Sequence, residues 1–294
     1  MAIGAHPTGT PVPLRRSPGA VAKFLRSGDW WRHLLLIIVC IFLFIPMALT
    51  IVISTKTISQ FNVAPLSVTF PMHWDNYVTA GQFVAHYIFN SIIISGVTCL
   101  GVLLVGSLTA YVFARFTFPG KTFMYQGILV LLMIPPILTL VPAFLLVKNL
   151  NLLNTWGALI LPYMAFGLAF AIFILRTFYE GMPEELFEAA RIDGASELTV
   201  FFRIAAPLSK SILGVVAVLN ILGTWNNYVW PLVTIQSDNL FPLALGLTAY
   251  RQAYYTLWGP LMAGYVIGTI PLIILFAFTS KLFVDGLSGG ALKL

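Results

Sequence analysis

Apolar residues in this chain come in long runs separated by short polar stretches, and six runs reach twenty residues or more: 34–54, 90–114, 123–147, 156–175, 212–235 and 260–280. A helix of about 20 apolar residues crosses the hydrocarbon core of a bilayer, so the pattern predicts six transmembrane helices. None of the runs contains Asp, Glu, Lys, Arg or His. Pro46, Pro135, Pro136, Pro142, Pro162, Pro231 and Pro271 lie in or at the ends of the runs. They predict kinks, tolerated where neighbouring helices or water satisfy the freed carbonyls. Gly264 and Gly268 form a GxxxG pair that predicts close helix packing.

The polar stretches have patterns of their own. Residues 1–28 mix Gly, Pro and Ser with scattered bases, which predicts a flexible cytoplasmic arm ahead of a six-helix domain over 29–294. Trp30 and Trp31 then belong at headgroup level. The first run is longer than a signal-peptide core and no small-x-small site follows it, so it reads as a retained helix. The stretch 55–82 predicts a compact cap or a short helix, "RFTFPGK" (115–121) a tight turn, and 236–259 a functional loop too long and aromatic for a plain connection.

The stretch between the fourth and fifth runs departs most from the rest. Six of the ten acidic residues, Glu180, Glu184, Glu185, Glu188, Asp193 and Glu197, crowd into it. Pro183 suits the first position of a helix whose first turn holds Glu184 and Glu185, opposite the positive end of the helix dipole. That helix is expected to run to about Asp193 and stop at Gly194, which can take the left-handed conformation; Ser196 then caps a second helix. Leu198, Phe201, Phe202 and Ala205 give the second helix an apolar stripe directed at the bundle, and Pro207 ends or bends it. Ala189 and Ala190 would let a partner approach the first helix closely. On composition alone, a docking knob and an ordinary solvated loop both fit.

Composition agrees with the membrane reading: 59% of residues are hydrophobic, 9% are charged and the mean hydropathy is +0.92. A soluble domain carries about 25% charged residues. The net charge of +6 is spread over loops with no aromatic–basic groove, so membrane orientation explains it and nucleic acid does not. With a cytoplasmic N-terminus, thirteen Lys and Arg residues fall inside and three (Lys56, Lys148, Arg251) outside, which places both termini in the cytoplasm. Cys40 and Cys99 fall within runs and act as small apolar side chains. No cluster has metal-ligand spacing, and no GxxxxGK[ST] loop is present. "GLSGG" (286–290) fits G-x-S-x-G, but no strand precedes it and all four histidines lie upstream of Ser288, so it reads as a flexible tail.

The spacing Glu188-Ala189-Ala190, three residues, Gly194, nine residues, Ile204, then Ala206 and Pro207 resembles the signature loop of the membrane subunits of binding-protein-dependent ABC importers. Ala206 stands where that family usually has Leu. "AYVFARFTFPGK", "LPYMAFGLAFAIFILRTFYEGMPEELFEAARIDGAS", "WNNYVWPLV" and "FVDGLSGGALKL" extend the resemblance over almost the whole chain, to the carbohydrate branch with maltose-type and glycerol-phosphate-type permeases. The resemblance implies an all-α integral membrane protein of six transmembrane helices, type I ABC importer permease-like, in a bacterial-type inner membrane. It also implies a coupling helix seated in an ATPase subunit, with Glu184, Glu185, Glu188, Ala189, Ala190, Asp193, Gly194, Ile204 and Pro207 as the coupling residues and Glu188 and Gly194 engaging the partner. Implied partners are a second homologous permease, two ATPase subunits and an extracytoplasmic solute-binding protein that meets Arg251, Tyr254, Tyr255 and Trp258. ATP and Mg would be bound by partner chains, leaving this chain without cofactor, metal or catalytic residue. The tail would approach the ATPase pair.

Energy and path follow. Runs without ionisable residues do not suit an ion-coupled carrier, so an external ATPase is the expected source of energy. The alternatives are such a carrier or a membrane assembly or enzyme subunit. Asn220, Thr224, Asn227 and Tyr228 fall near one face of the fifth run, with Trp225 and Asn226 beside it. These groups suit a sugar passage, or hydrogen bonds between helices worth about 0.6–2 kcal/mol each. Related carbohydrate permeases often carry an acid where Asn227 stands.

Overall fold

The computed structural model describes residues 30–250 and 256–291, with side chains for 30–248 and 256–280. Its regular elements are all helical. Residues up to Leu49 and from Thr50 onward form two compact units. The first holds residues 30–49 of α1 (Trp30–Ser54), whose apolar side chains Leu34 to Met47, Phe42 among them, lie all round the helix. A helix that is apolar all round suits a lipid surrounding.

The second unit is organised on α3 (Asp75–Arg115). At 41 residues it is about 60 Å long, roughly twice the hydrocarbon core, so it extends well beyond the membrane. Its buried positions Val84, Tyr87, Ser91, Ile94, Thr98 and Val102 recur at three- and four-residue spacing. This side packs against α6 (Gly157–Glu180), α10 (Lys210–Trp225) and α13 (Trp258–Ala291). Ser95 and Ser107 on α3 return their hydroxyls to the helix itself, Ser95 to the carbonyl of Ser91 at 2.5 Å, while the Ser91 hydroxyl accepts the Leu243 amide at 2.8 Å, so these groups cost little inside an apolar bundle.

Four helices are long and apolar enough to cross a membrane, and six if each of two bent pairs is one span, among the described residues. The run 123–147, expected as one helix, is instead α4 (Lys121–Met133) and α5 (Pro136–Asn149), meeting at 105°. Pro135 and Pro136 cannot donate to the ladder, and Ile134, which precedes a proline, is extended. The run 212–235 is also divided: α10 stops at Trp225, residues 226–228 are non-helical, and α11 (Val229–Thr234) follows.

The stretch 55–82 is more helical than expected. It contains α2 (Ile58–Val63), opened by a reciprocal Thr57–Gln60 capping box, and the start of α3. Lys56 is fully buried here, and its ammonium donates to the carbonyls of Ala64, Pro65 and Ser67. Burial draws its pKa down, while the three carbonyls satisfy its donors. The region 286–290, expected as a flexible tail, is helical within α13. An existing helix extends one hydrogen bond at a time, which offsets glycine's poor propensity. Gly268, one of the GxxxG pair, packs closely against Leu243 of the short helix α12 (Leu243–Gly246).

Gly259 opens α13 beneath the Lys56 cap, where an added Cβ would stand 2.2 Å from the Lys56 carbonyl oxygen and 2.5 Å from the Asn76 amide nitrogen. The Asn76 amide is fixed by its bonds to the carbonyls of Ser54 (2.9 Å) and Lys56 (3.0 Å). Gly259→Ala is therefore expected to destabilise the detergent-solubilised protein by about 1–3 kcal/mol. Gly96→Ala, on α3 with nothing within 4 Å of the new methyl, is expected to leave stability unchanged or raise it. Thermal unfolding of the two variants checks both; equal midpoints would contradict the packing at Gly259.

Candidate functional site

The acidic stretch folds into two short helices meeting at a glycine corner. α7 (Glu185–Ile192) leads into Asp193 and Gly194, and Gly194 adopts φ +78°. α7 starts two residues after Pro183, with Glu184 at its N-cap. Ser196 caps α8 (Glu197–Val200), its hydroxyl accepting from the Thr199 amide at 3.4 Å. A π-helical turn, 201–205, then carries the chain into α9 (Ala206–Leu208). The bend falls after Pro207: the 197–208 segment meets α10 at 78°.

The π turn corrects the expected stripe. Val200, Phe201 and Ala205 are buried, whereas Leu198 and Phe202 are more than half exposed. In the wider turn the amide of Ala206 reaches back five residues to the Phe201 carbonyl, which rotates the following positions away from simple helical spacing. Ala190 is likewise buried, with Phe187, so only Ala189 of the alanine pair faces outward. The outward surface of α7 is Glu185, Leu186, Glu188, Ala189 and Ile192, continued by Asp193 and Gly194. Ile192 is 85% exposed. Sequence reading named Glu185, Glu188, Ala189, Asp193 and Gly194 of this surface but not Leu186 and Ile192, although Leu186, Ala189 and Ile192 repeat every third residue.

Two of the six acids, Glu184 and Glu197, hold the corner to the bundle. Arg115, in the last turn of α3, has a side chain only 6% exposed. Its guanidinium pairs with Glu184, donates to the carbonyls of Tyr179 (2.6 Å) and Met182 (2.8 Å), and lies 4.0 Å over the Phe187 ring. Glu184 also accepts from Arg191, which donates to Glu197 at 2.8 Å; the Tyr111 hydroxyl donates to Glu197 at 3.2 Å. Tyr111 and Arg115 are four residues apart on α3, so one helix face closes both ends of this chain of charges. The bond to Glu197 is the largest influence raising the Arg191 pKa, opposed by partial burial and reinforced by Glu184. Glu180 pairs with Arg176 at 2.7 Å. Glu185, Glu188 and Asp193 form no ion pair among the described residues. Ile204 is half-buried against this core, and Pro207 precedes the bend.

The polar residues of the fifth run divide at its break. Trp225, Asn226 and Tyr228 line a cleft of about 300 Å³. Asn220, Thr224 and Asn227, expected to share the passage face, do other work. The Thr224 hydroxyl returns to the carbonyls of Asn220 and Ile221. Asn227 accepts the Trp230 amide at 3.2 Å and so opens α11. Asn220 packs toward Gly167 of α6, with its side-chain oxygen buried and unpartnered among the described residues. The single-helix expectation failed here because the face inferred from continuous 3.6-residue spacing does not survive non-helical residues 226–228. Arg251, Tyr254 and Tyr255 lie outside the described residues. Trp258 stacks on Phe61 at 5.1 Å between ring centroids, so part of its indole is already covered. No group of three or more His, Cys, Asp or Glu is placed to hold a metal among the described residues.

The described residues thus form an all-helical protein with four helices, or six if each bent pair is one span, long and apolar enough to cross a membrane. The chain belongs to the family of binding-protein-dependent transport system inner membrane components, whose model matches residues 102–289. Members of that family are permease subunits, not enzymes. The chain is 38% identical over 230 residues to the probable ABC transporter permease protein YurM of Bacillus subtilis, covering 77% of each chain. It is 33% identical over 267 residues to the diacetylchitobiose uptake system permease protein NgcG of Streptomyces coelicolor, covering 89% of this chain and 88% of the relative. A bacterial ABC transporter involved in import of the acidic polysaccharide alginate contains a chain of similar fold, with a TM-score of 0.75 at 19% identity, covering 93% of this chain and all of that one.

Arg115→Ala would take a donor from the Met182 carbonyl and from the Tyr179 carbonyl, which keeps the Met182 amide at 3.2 Å, and would leave Glu184 with one arginine, an expected loss of about 2–4 kcal/mol. Glu184→Gln, at a half-exposed carboxylate, is expected to cost about 1 kcal/mol or less. Hydrogen exchange in α7 of the detergent-solubilised protein checks this. Arg115→Ala should accelerate exchange there far more than Glu184→Gln does, and unchanged exchange in Arg115→Ala would contradict the clamp.

Proposed function

We propose that this chain is one permease subunit of an ATP-driven importer that carries a carbohydrate delivered by an extracytoplasmic binding protein. The observation that carries the reading is the glycine corner: a partly unpaired acidic and apolar surface held by an internal clamp outside the apolar spans. Exposed Ile192, Leu186 and Ala189 beside Glu185, Glu188 and Asp193 offer what a protein partner needs, an apolar centre with charges at its rim. In this reading the bent pairs α4–α5 and α8–α10 each count as one span, giving six, with both termini and the corner cytoplasmic. The corner is the coupling helix, and Glu188, Ala189, Asp193 and Gly194 meet an ATPase subunit. Glu184, Ala190, Ile204 and Pro207 support that contact from behind.

ATP and Mg belong to the two ATPase chains. A second permease completes the pore, and the region of Arg251, Tyr254, Tyr255 and Trp258 meets the binding protein. The carbohydrate assignment rests on the family and on the diacetylchitobiose relative. Uncharged polar groups at the break in the fifth span support it, because planar amides, hydroxyls and aromatic faces bind sugars without charge.

The test uses the complex reconstituted with its second permease, ATPase subunits and binding protein. Loaded binding protein is expected to stimulate ATP hydrolysis. Gly194 has φ +78° and open space around it. Gly194→Ala therefore meets only backbone strain of about 1–2 kcal/mol, while Asp tolerates that conformation better than Ala does. Stimulation is expected to persist in Gly194→Ala and vanish in Gly194→Asp, the signature of a partner surface. Equal behaviour of the two variants would overturn the docking role, and no stimulation in an intact wild-type complex would overturn the importer reading.

A further inference from the structure

Charge changes sign around the glycine corner. On one side, α7 exposes Glu185, Glu188 and Asp193. On the other, residues 198–237 contain no Asp or Glu and two basic residues, Arg203 and Lys210. Both bases are exposed, and neither forms an ion pair among the described residues. They stand among Leu198, Phe202 and Leu208, each more than half exposed. The opposite side of the same segment is occupied: Val200, Phe201 and Ala205 are buried. Phe201 meets the ring of Tyr111 on α3 edge-on at 5.4 Å and that of Tyr179 on α6 at 6.5 Å. The apolar and basic side therefore faces away from the bundle.

Direction decides what lies there. The 197–208 segment meets α10 at 78°. Where α10 is part of a membrane span, an arm at that angle leaves the end of the span close to the plane of the bilayer, at the depth of the headgroups. A helix at that depth is apolar on one face and basic beside it, because apolar side chains enter the boundary between headgroups and acyl chains while Lys and Arg reach phosphate. An anionic bilayer supplies hydrocarbon and phosphate along the whole arm, and it is continuous with the lipid around the span. The carboxylates that α7 leaves unpaired would be repelled by the same surface, and this side has none.

We propose that residues 197–210 form a membrane-surface arm for anionic phospholipid, with Leu198, Phe202 and Leu208 between headgroups and acyl chains and Arg203 and Lys210 on lipid phosphate. The proposal rests on the importer reading in taking α10 as part of a span, and it goes beyond that reading. The corner carries two surfaces of opposite charge, an acidic one for a protein and a basic, apolar one for the bilayer. Phe201 and Phe202, adjacent in sequence, touch α3 and lipid respectively, so the corner is held to the membrane surface as well as to the bundle.

The experiment attaches bimane to Phe202→Cys, in a background of Cys40→Ser and Cys99→Ala, in the reconstituted complex. Acrylamide is the quencher in water, and brominated phospholipid is the quencher in the bilayer. Strong quenching by brominated lipid with little by acrylamide is expected, and the same at a labelled Leu198→Cys. Quenching by acrylamide alone would place the segment in water, and quenching by neither would show that a protein covers it; either result overturns the proposal. The headgroup is tested with brominated phosphatidylglycerol against brominated phosphatidylcholine, each diluted into phosphatidylcholine. Half-maximal quenching is expected at about a fivefold lower mole fraction of the phosphatidylglycerol, the enrichment that one basic residue near an anionic surface would give. Equal mole fractions would overturn the choice of anionic lipid. The difference is expected to disappear when Arg203→Gln and Lys210→Gln are combined, and its persistence would overturn the role of the two bases. Binding-protein-stimulated ATP hydrolysis, measured on the same preparation, reports separately on the importer reading.

Discussion

The structure depends on one buried charge. Arg115 ends the longest helix of the chain with its guanidinium almost wholly removed from water. A charge in that position is costly unless it is compensated, and here two carbonyls, a carboxylate and an aromatic face meet the guanidinium, leaving its Nε–H without a hydrogen-bond partner among the described residues. All four belong to α6, α7 or the turn between them, so the requirement of one side chain fixes where the glycine corner sits. Tyr111, one turn earlier on α3, repeats the attachment through Glu197 and packs edge-on against Tyr179 and Phe201. The corner is thus attached by polar and apolar contacts to the same two turns of one helix. A push on α7 is a push on α3.

Sequence and structure agree where the signal is local. The uncharged runs, the Gly194 corner and the Ser196 cap each depend on residue type at a single position or on simple density of apolar residues, and each is legible in the chain. The disagreements arise where a second element decides the outcome. Glu184 and Glu197 look like surface acids until α3 supplies Arg115 and Tyr111 from about seventy to ninety positions away in sequence. Ala190 looks like half of a small-residue docking pair until Phe187 beside it turns that side inward. The 198–205 stripe assumes 3.6 residues per turn, and the π turn before Pro207 breaks the assumption.

The fifth run depends on a second element in the same way. A pattern of polar residues on a continuous helix gives one face; an interruption at 226–228 gives two sets with separate roles. Asn227 becomes a cap, Thr224 bonds its own helix, and Trp225, Asn226 and Tyr228 turn to the cleft. Only tertiary context adds Thr248, Tyr265 and Thr269 to them, since those residues come from two other elements.

The central claim is that α7 and α3 move as one body. Its most direct measurement is the distance between spin labels at Ile192→Cys on α7 and Val105→Cys on α3, both exposed, in the cysteine-free background of the reconstituted complex with and without ATP. The account predicts a narrow distance distribution that does not change with nucleotide and that broadens when Arg115→Ala is added. A shift of about 5 Å, one helical turn, between nucleotide states in the protein with Arg115 intact would contradict it.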